Sequence, residues 1–193
     1  MNHHKALVVI DVQNDFCPGG ALPVPDGDKV VPVINRYIRR FVDAGQPIFL
    51  TRDWHPAGSH HFKDHGGEWP VHCLQHTWGA EFHPALERPA GATIIAAGID
   101  PNTEGYSEFE GVDDTGRPFA EILARHEIEE LWIGGLATDV CVRYTALEAL
   151  KRGFRVRLLL DASRGLSPDS VQKAVTEMTQ AGAIPTTLEK LFW

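Results

Sequence analysis

LWIGGLATDVCVRYTALEALKRG, residues Leu131 to Gly153, reads as a buried strand, a tight turn and a helix carrying a cysteine in its first turn. Leu131, Trp132 and Ile133 form a short apolar run, and Gly134-Gly135 punctuates its end. Thr138 or Asp139 can cap the helix that follows, and either choice places Cys141 within the first turn. Val140, Tyr144, Leu147 and Leu150 recur at helical spacing until Gly153 stops the helix. A thiol there feels the positive end of the helix dipole and unpaired backbone N–H groups, which favour thiolate over thiol. The same N–H groups could hold an oxyanion formed when that sulfur attacks a carbonyl. The plainer alternative is a buried structural cysteine.

Outward from this unit the pattern repeats. Ala6–Ile10 is a continuous apolar run ending in Asp11, as in a strand covered on both faces. The stretch from Asp15 to Gly27 is rich in Pro and Gly and reads as a loop, and Lys29–Ala44 has helical periodicity closed by Gly45. Strands are expected at Pro47–Thr51, Thr93–Ala97, Leu131–Gly134, Arg155–Leu160 and Ile184–Leu188, and helices at Arg117–His126, Thr138–Arg152 and Pro168–Ala181. Strands separated by helices imply right-handed crossovers and a mostly parallel sheet. The expected class is α/β, a three-layer sandwich with about six parallel strands and helices on both faces. No repeat or linker interrupts it, so residues 1–193 are read as one domain, long enough to bury roughly 70% of the surface of the unfolded chain.

Composition narrows the function. The apolar fraction of 43% and charged fraction of 23% suit a soluble globular protein. A net charge of −8 without a basic stripe argues against nucleic acid and against an anionic membrane surface. No apolar run approaches the roughly 18 residues that would span a bilayer, and MNHHKALVVID offers no cleavable hydrophobic segment, so a cytoplasmic location is the expectation. Three scattered cysteines, Cys17, Cys73 and Cys141, do not make a disulfide framework. Ten histidines are the unusual feature, because seven of them lie between His55 and His83.

In open parallel sheets the ligand sits beyond the carboxyl ends of the strands. Asp11, Asp53 with His55, Ala97 and Cys141 all fall at that edge. A partly desolvated Asp11 would suit proton transfer, although it could equally serve as a turn or cap residue. Asp53 and His55 point the same way in extended chain, and His61 and His72 can return to them after the turns at Pro56–Gly58 and Gly66-Gly67. Three imidazoles and a carboxylate suit one divalent ion such as zinc, iron(II) or manganese. The alternative is a solvated loop whose histidines act separately, which is the reading for His60, His65, His76 and His83.

DVQNDF at Asp11–Phe16, DWHP at Asp53–Pro56, HHF at His60–Phe62, WPVHC at Trp69–Cys73 and GGLATDVCV at Gly134–Val142 together resemble the nicotinamidase/pyrazinamidase branch of the isochorismatase-like cysteine hydrolases. The likeness runs from Ala6 to about Gly165, and the order and spacing of the motifs are far more specific than any one of them. It implies hydrolysis of nicotinamide, and of the related pyrazinamide, to the acid and ammonia, by an Asp, Lys, Cys triad beside a metal. By that likeness Asp11 is the triad aspartate, Cys141 the nucleophile, and Asp53, His55, His61 and His72 the metal ligands. Phe16 and Trp69 correspond to walls around the pyridine ring, and Tyr106 lies in a YSEF segment similar to the family's YSxF. The Leu136–Ala137 bond matches a cis peptide that turns the Ala137 and Cys141 N–H groups toward the oxyanion. The partner is then a small molecule, with room for a homo-oligomer.

One departure matters more than the agreement. The family places its triad lysine just before a glycine at the end of the third strand, whereas this chain has Ala97-Gly98 in IIAAGID. Lys63, in the histidine loop, is the nearest alternative in sequence. The expectation is therefore a metal-dependent amidohydrolase with impaired turnover. Another carbamoyl or amide hydrolase of the superfamily, or a catalytically silent metal- or ligand-binding homologue, is the rival reading.

Overall fold

The alternation along the first strand sets the layers. In β1 (Lys5–Ile10), Ala6, Val8 and Ile10 face one hydrophobic cluster while Leu7 and Val9 face another, and none is more than 2% exposed. The computed structural model describes residues 4–190, so both ends of the domain read over 1–193 lie outside the described residues. The other strands are β2 (Ile48–Asp53), β3 (Thr93–Ala97), β4 (Glu130–Leu136), β5 (Arg155–Arg164) and β6 (Ile184–Thr186). They form one sheet in the order β3-β2-β1-β4-β5-β6, and every pairing is parallel. The α/β class expected from the sequence is the one observed.

Among the described residues four α-helices cover the sheet. Helix α1 (Val31–Asp43) buries Ile34, Tyr37, Ile38 and Phe41 on the face that carries Leu7, Val9 and Leu50. On the other face lie α2 (Phe119–Arg125), α3 (Cys141–Lys151) and α4 (Pro168–Gln180), against Ala6, Val8, Ile10 and Ile133. The strand order reverses direction between β1 and β4, the place where α/β sheets open a crevice at their carboxyl edge. Asp11 leaves β1 there, and Cys141 opens the helix after β4. Among the described residues no helix is long and apolar enough to cross a membrane.

The central unit differs from its sequence reading in three ways. Gly134 and Gly135 do not end the strand; β4 runs through them to Leu136. Gly135 has φ +135° and a side chain there would lie 2.1 Å from the Ile10 carbonyl oxygen, so the glycine allows β1 and β4 to close on one another. Neither Thr138 nor Asp139 caps α3, whose N-cap is Val140 without a side-chain bond. Asp139 instead accepts from the Leu166 N–H and the Ser170 hydroxyl, tying the turn to the start of α4. Finally, α3 buries Cys141, Val142, Thr145, Ala146 and Ala149, while Tyr144 is exposed. Small side chains let this helix lie close on the sheet, and of the bulky periodic set Val140, Leu147 and Leu150 pack half-buried at the edge of this core while Tyr144 faces out.

Candidate active site and metal centre

Asp11 is held by its own backbone and by a neighbour. Its φ is +47°, a left-handed conformation that aspartate tolerates better than most residues. The Thr51 hydroxyl, from β2, donates to Asp11 Oδ1 at 2.8 Å and accepts from the Asp11 N–H at 3.3 Å. Gln13 then locks this loop to β2: its amide donates to the Asp53 and Ala80 carbonyls, and its side-chain oxygen accepts from the Asp53 N–H. Asp11 is fully buried, and burial together with the nearby Asp53 carboxylate pushes its carboxyl well above the ordinary range. It is in hydrogen-bonding contact with the Cys141 thiol.

Cys141 lines a cavity with Phe16, Trp69, Tyr106 and Ala137. The Leu136–Ala137 peptide is cis. Among the described residues neither the Ala137 N–H nor the Cys141 N–H has an acceptor, which leaves both able to bind an oxyanion. The expectation of a thiolate favoured by the helix end is corrected here. Burial first, and then the Asp11, Asp53 and Glu108 carboxylates, push the Cys141 thiol well above its usual value. Three nearby anions outweigh one helix terminus.

Asp53 is the last residue of β2, paired in register with Ala97. Its Oδ2 lies 3.6 Å from His55 Nε2 and 3.7 Å from His72 Nε2. Burial opposes its charge, yet the two imidazoles hold its carboxyl below the usual range. One ring nitrogen from each of His55, His61 and His72 lies within 4.8 Å of the others. His61 stacks on His55 at 4.4 Å between ring centroids. The Nδ1 atoms of His61 and His72 meet Glu104 Oε2 and the Pro70 carbonyl, each at 2.8 Å, which orients these rings as outer-shell partners orient metal ligands. Both His55 nitrogens are buried and without a hydrogen-bond partner, a costly arrangement unless something coordinates them. These residues fit a metal ion. Gly98 makes room for them, since with φ +68° a side chain there would lie 2.4 Å from the His55 ring.

The aromatic residues meet at the same cavity, a narrow one of about 30 Å³ that opens to solvent. Trp69 Nε1 donates to the Tyr106 hydroxyl at 2.9 Å, and Phe16 packs at 5.5 Å from His72. Tyr106 itself is pushed up to about 12 by burial. Leu22, Val24 and Leu166 complete the apolar lining and were not singled out in the sequence. His60, His65 and His76 are exposed, in keeping with separate roles. Lys63 is exposed as well, and it is not among the groups acting on Asp11 or Cys141.

One buried group escaped the sequence reading. Glu108, the variable residue of YSEF, is fully buried and in contact with Asp11. Neither of its oxygens has a hydrogen-bond partner. Burial, then Asp11 and Asp53, push its carboxyl well above the ordinary range. An acidic residue at that position beside a missing lysine was the available signal.

Known proteins resemble the chain over nearly its whole length. The family model for the isochorismatase domain matches residues 5–190. The nicotinamidase of Escherichia coli (strain K12) is 40% identical over 205 residues, covering 95% of each chain. The nicotinamidase/pyrazinamidase of Mycobacterium tuberculosis is 38% identical over 180 residues, covering 92% of this chain and 95% of the other. A crystal structure of the pyrazinamidase of Pyrococcus horikoshii in complex with zinc superposes with a TM-score of 0.89 at 46% identity, covering 96% and 99% of the two chains. With a sheet of matching architecture and motifs that span almost its whole length, the chain belongs to the isochorismatase family, among relatives named nicotinamidases and pyrazinamidases.

Proposed function

We propose that this chain is a metal-dependent cysteine amidohydrolase that converts nicotinamide, and by the same chemistry pyrazinamide, to the acid and ammonia. The observation that carries the reading is a single cavity lined by His61 and His72 of the histidine cluster, by aromatic walls, and by Cys141 with Ala137. A flat heteroaromatic amide matches those three surroundings at once. Asp53, His55, His61 and His72 would hold one divalent ion, zinc, iron(II) or manganese. When bound, the ion would supply a Lewis acid for the ring nitrogen. Phe16, Trp69 and Tyr106 would fix the ring.

Asp11 takes the proton of the Cys141 thiol as the sulfur bonds to the amide carbon, and the Ala137 and Cys141 N–H groups face the resulting oxyanion. The C–N bond then breaks, Asp11 returns the proton to the leaving amine, and ammonia departs. Water cleaves the thioester, giving the carboxylate and the free thiol. With alanine at position 97 no lysine ammonium offsets the developing charge, so turnover should be slow with only the histidine site loaded.

Ammonia release from nicotinamide, with zinc, iron(II) or manganese added in turn, tests the proposal. Release from an N-carbamoyl substrate but from neither pyridine nor pyrazine amide would refute it. Ala97 also favours a second reading, a binding homologue without catalysis. That reading requires nicotinamide to bind while ammonia stays at background with every metal.

A further inference from the structure

Four acidic groups converge at the carboxyl edge between β1, β2 and α3. Asp11, Asp53 and Cys141 each offer a ligand atom, and these atoms all lie within 4.8 Å of one another. Glu108 completes the group through its contact with Asp11. Exposure is 0% for Asp11 and Glu108, 4% for Asp53 and 6% for Cys141. Two ionised carboxylates in contact are acceptors only, so one satisfies the other only by keeping a proton. Asp11 Oδ2 and both oxygens of Glu108 accordingly have no donor among the described residues. The groups acting most strongly on Asp11, Glu108 and Cys141 are one another, Asp53 and Thr51; no ammonium or guanidinium is among them. Buried acids in this number are relieved either by keeping their protons or by a compensating cation.

We infer that Asp11, Asp53 and Cys141, with Glu108 beside Asp11, form a second cation site, which takes a divalent ion at the place where a lysine at position 97 would put its ammonium. The donor set names the class of ion. A thiolate with carboxylates suits the borderline ions zinc, iron(II) and cobalt(II), and suits magnesium or calcium poorly. Asp53 stands between this site and the three imidazoles, so its two oxygens are able to serve an ion on either side. The inference goes beyond the proposed reaction and does not depend on it, because an ion count is independent of the substrate.

Equilibrium dialysis of the full chain against zinc, followed by elemental analysis, tests it. The expected result is about two ions per chain, the weaker of them lost or bound about 100-fold less tightly in Glu108→Gln. His55→Ala with His72→Ala should remove the other ion and leave this one. Ala97→Lys, which places an ammonium in the site, should also reduce the count to about one. With cobalt(II), occupation of the second site should add a sulfur-to-metal charge-transfer band that is lost in Cys141→Ser, a readout that stands if Glu108→Gln folds poorly. One ion per chain in the parent, with no such band, would mean that a shared proton neutralises Asp11 and Glu108, and would overturn the site. A second ion unaffected by Glu108→Gln and giving no band would belong to surface histidines, and would overturn it equally. Slow or undetectable nicotinamide turnover bears on the proposed function alone.

Discussion

Replacing Ala97 by lysine puts a positive charge where this chain has none. Ala97 is the last residue of β3, 1% exposed and paired with Asp53 across the sheet. A lysine side chain from there points at the edge where Asp11, Cys141 and Glu108 meet. An ammonium about 4 Å from an anion gains about 4 kcal/mol at an effective dielectric of about 20. The same interaction is absent when the sulfur is a neutral thiol, so most of it separates thiolate from thiol. Allowing about 1 kcal/mol for the pull of Asp11 and Glu108 on the same ammonium leaves about 3 kcal/mol, or about two pH units in the Cys141 thiol. That is about 10²-fold more thiolate near neutrality, in the range of about 10²–10³-fold seen when one oxyanion donor is removed.

The assay is ammonia release with one equivalent of metal, enough for the histidine site only. Ala97→Lys should raise kcat by about 10²-fold or more with little change in KM, since Ala97 does not line the cavity formed by Cys141 and the aromatic walls. Ala97→Met, of similar length but uncharged, should gain nothing. A lysine variant that gains nothing, or a methionine variant that gains as much, would refute the electrostatic argument.

Cys141→Ala should abolish ammonia release while nicotinamide binding, measured calorimetrically, stays within a few-fold; an alanine form at the parent rate would remove the cysteine from the mechanism. His55→Ala combined with His72→Ala should lose the histidine-site metal on dialysis, because both imidazoles face Asp53 Oδ2; retention of that ion would place it elsewhere. The Glu108 carboxyl is held well above its ordinary value by burial and by Asp11, so its proton stabilises the fold below the unfolded value and that contribution is lost as pH rises toward the folded one. The gain in Tm from Glu108→Gln in metal-free protein should therefore be small at about pH 5 and larger at about pH 8, and a gain independent of pH would contradict it.

The layers were legible because burial is written locally. ALVVI and TIIAA are apolar on both faces, which only a strand between two helix layers requires, and the strands were found with errors confined to their ends. The ends failed where distant backbone decides them. β4 continues through Gly134-Gly135 because Ile10 lies against Gly135, and Asp139 serves α4 instead of capping α3 because Leu166 and Ser170 come within its reach. The histidines that share a site were separable from those that do not, since Asp53 and His55 alternate in extended chain and His61 and His72 each follow a turn.

Charge balance is the part that no local pattern carries. Alanine at 97 reads as one more apolar residue in a strand, and glutamate at 108 reads as a solvated acid in a short turn. Only the fold brings Glu108 against Asp11 and sets Ala97 beside Asp53, so the charge of the site is written in neither segment alone. An alanine at 97 leaves Asp11 without a cationic partner, and a glutamate at 108 adds a second buried acid beside it. The raised Glu108 carboxyl is relieved either by its own proton or by an ion shared with Asp11. This is why the ion count and the lysine substitution address the same physical question from opposite sides: both ask what supplies the positive charge beside the nucleophile.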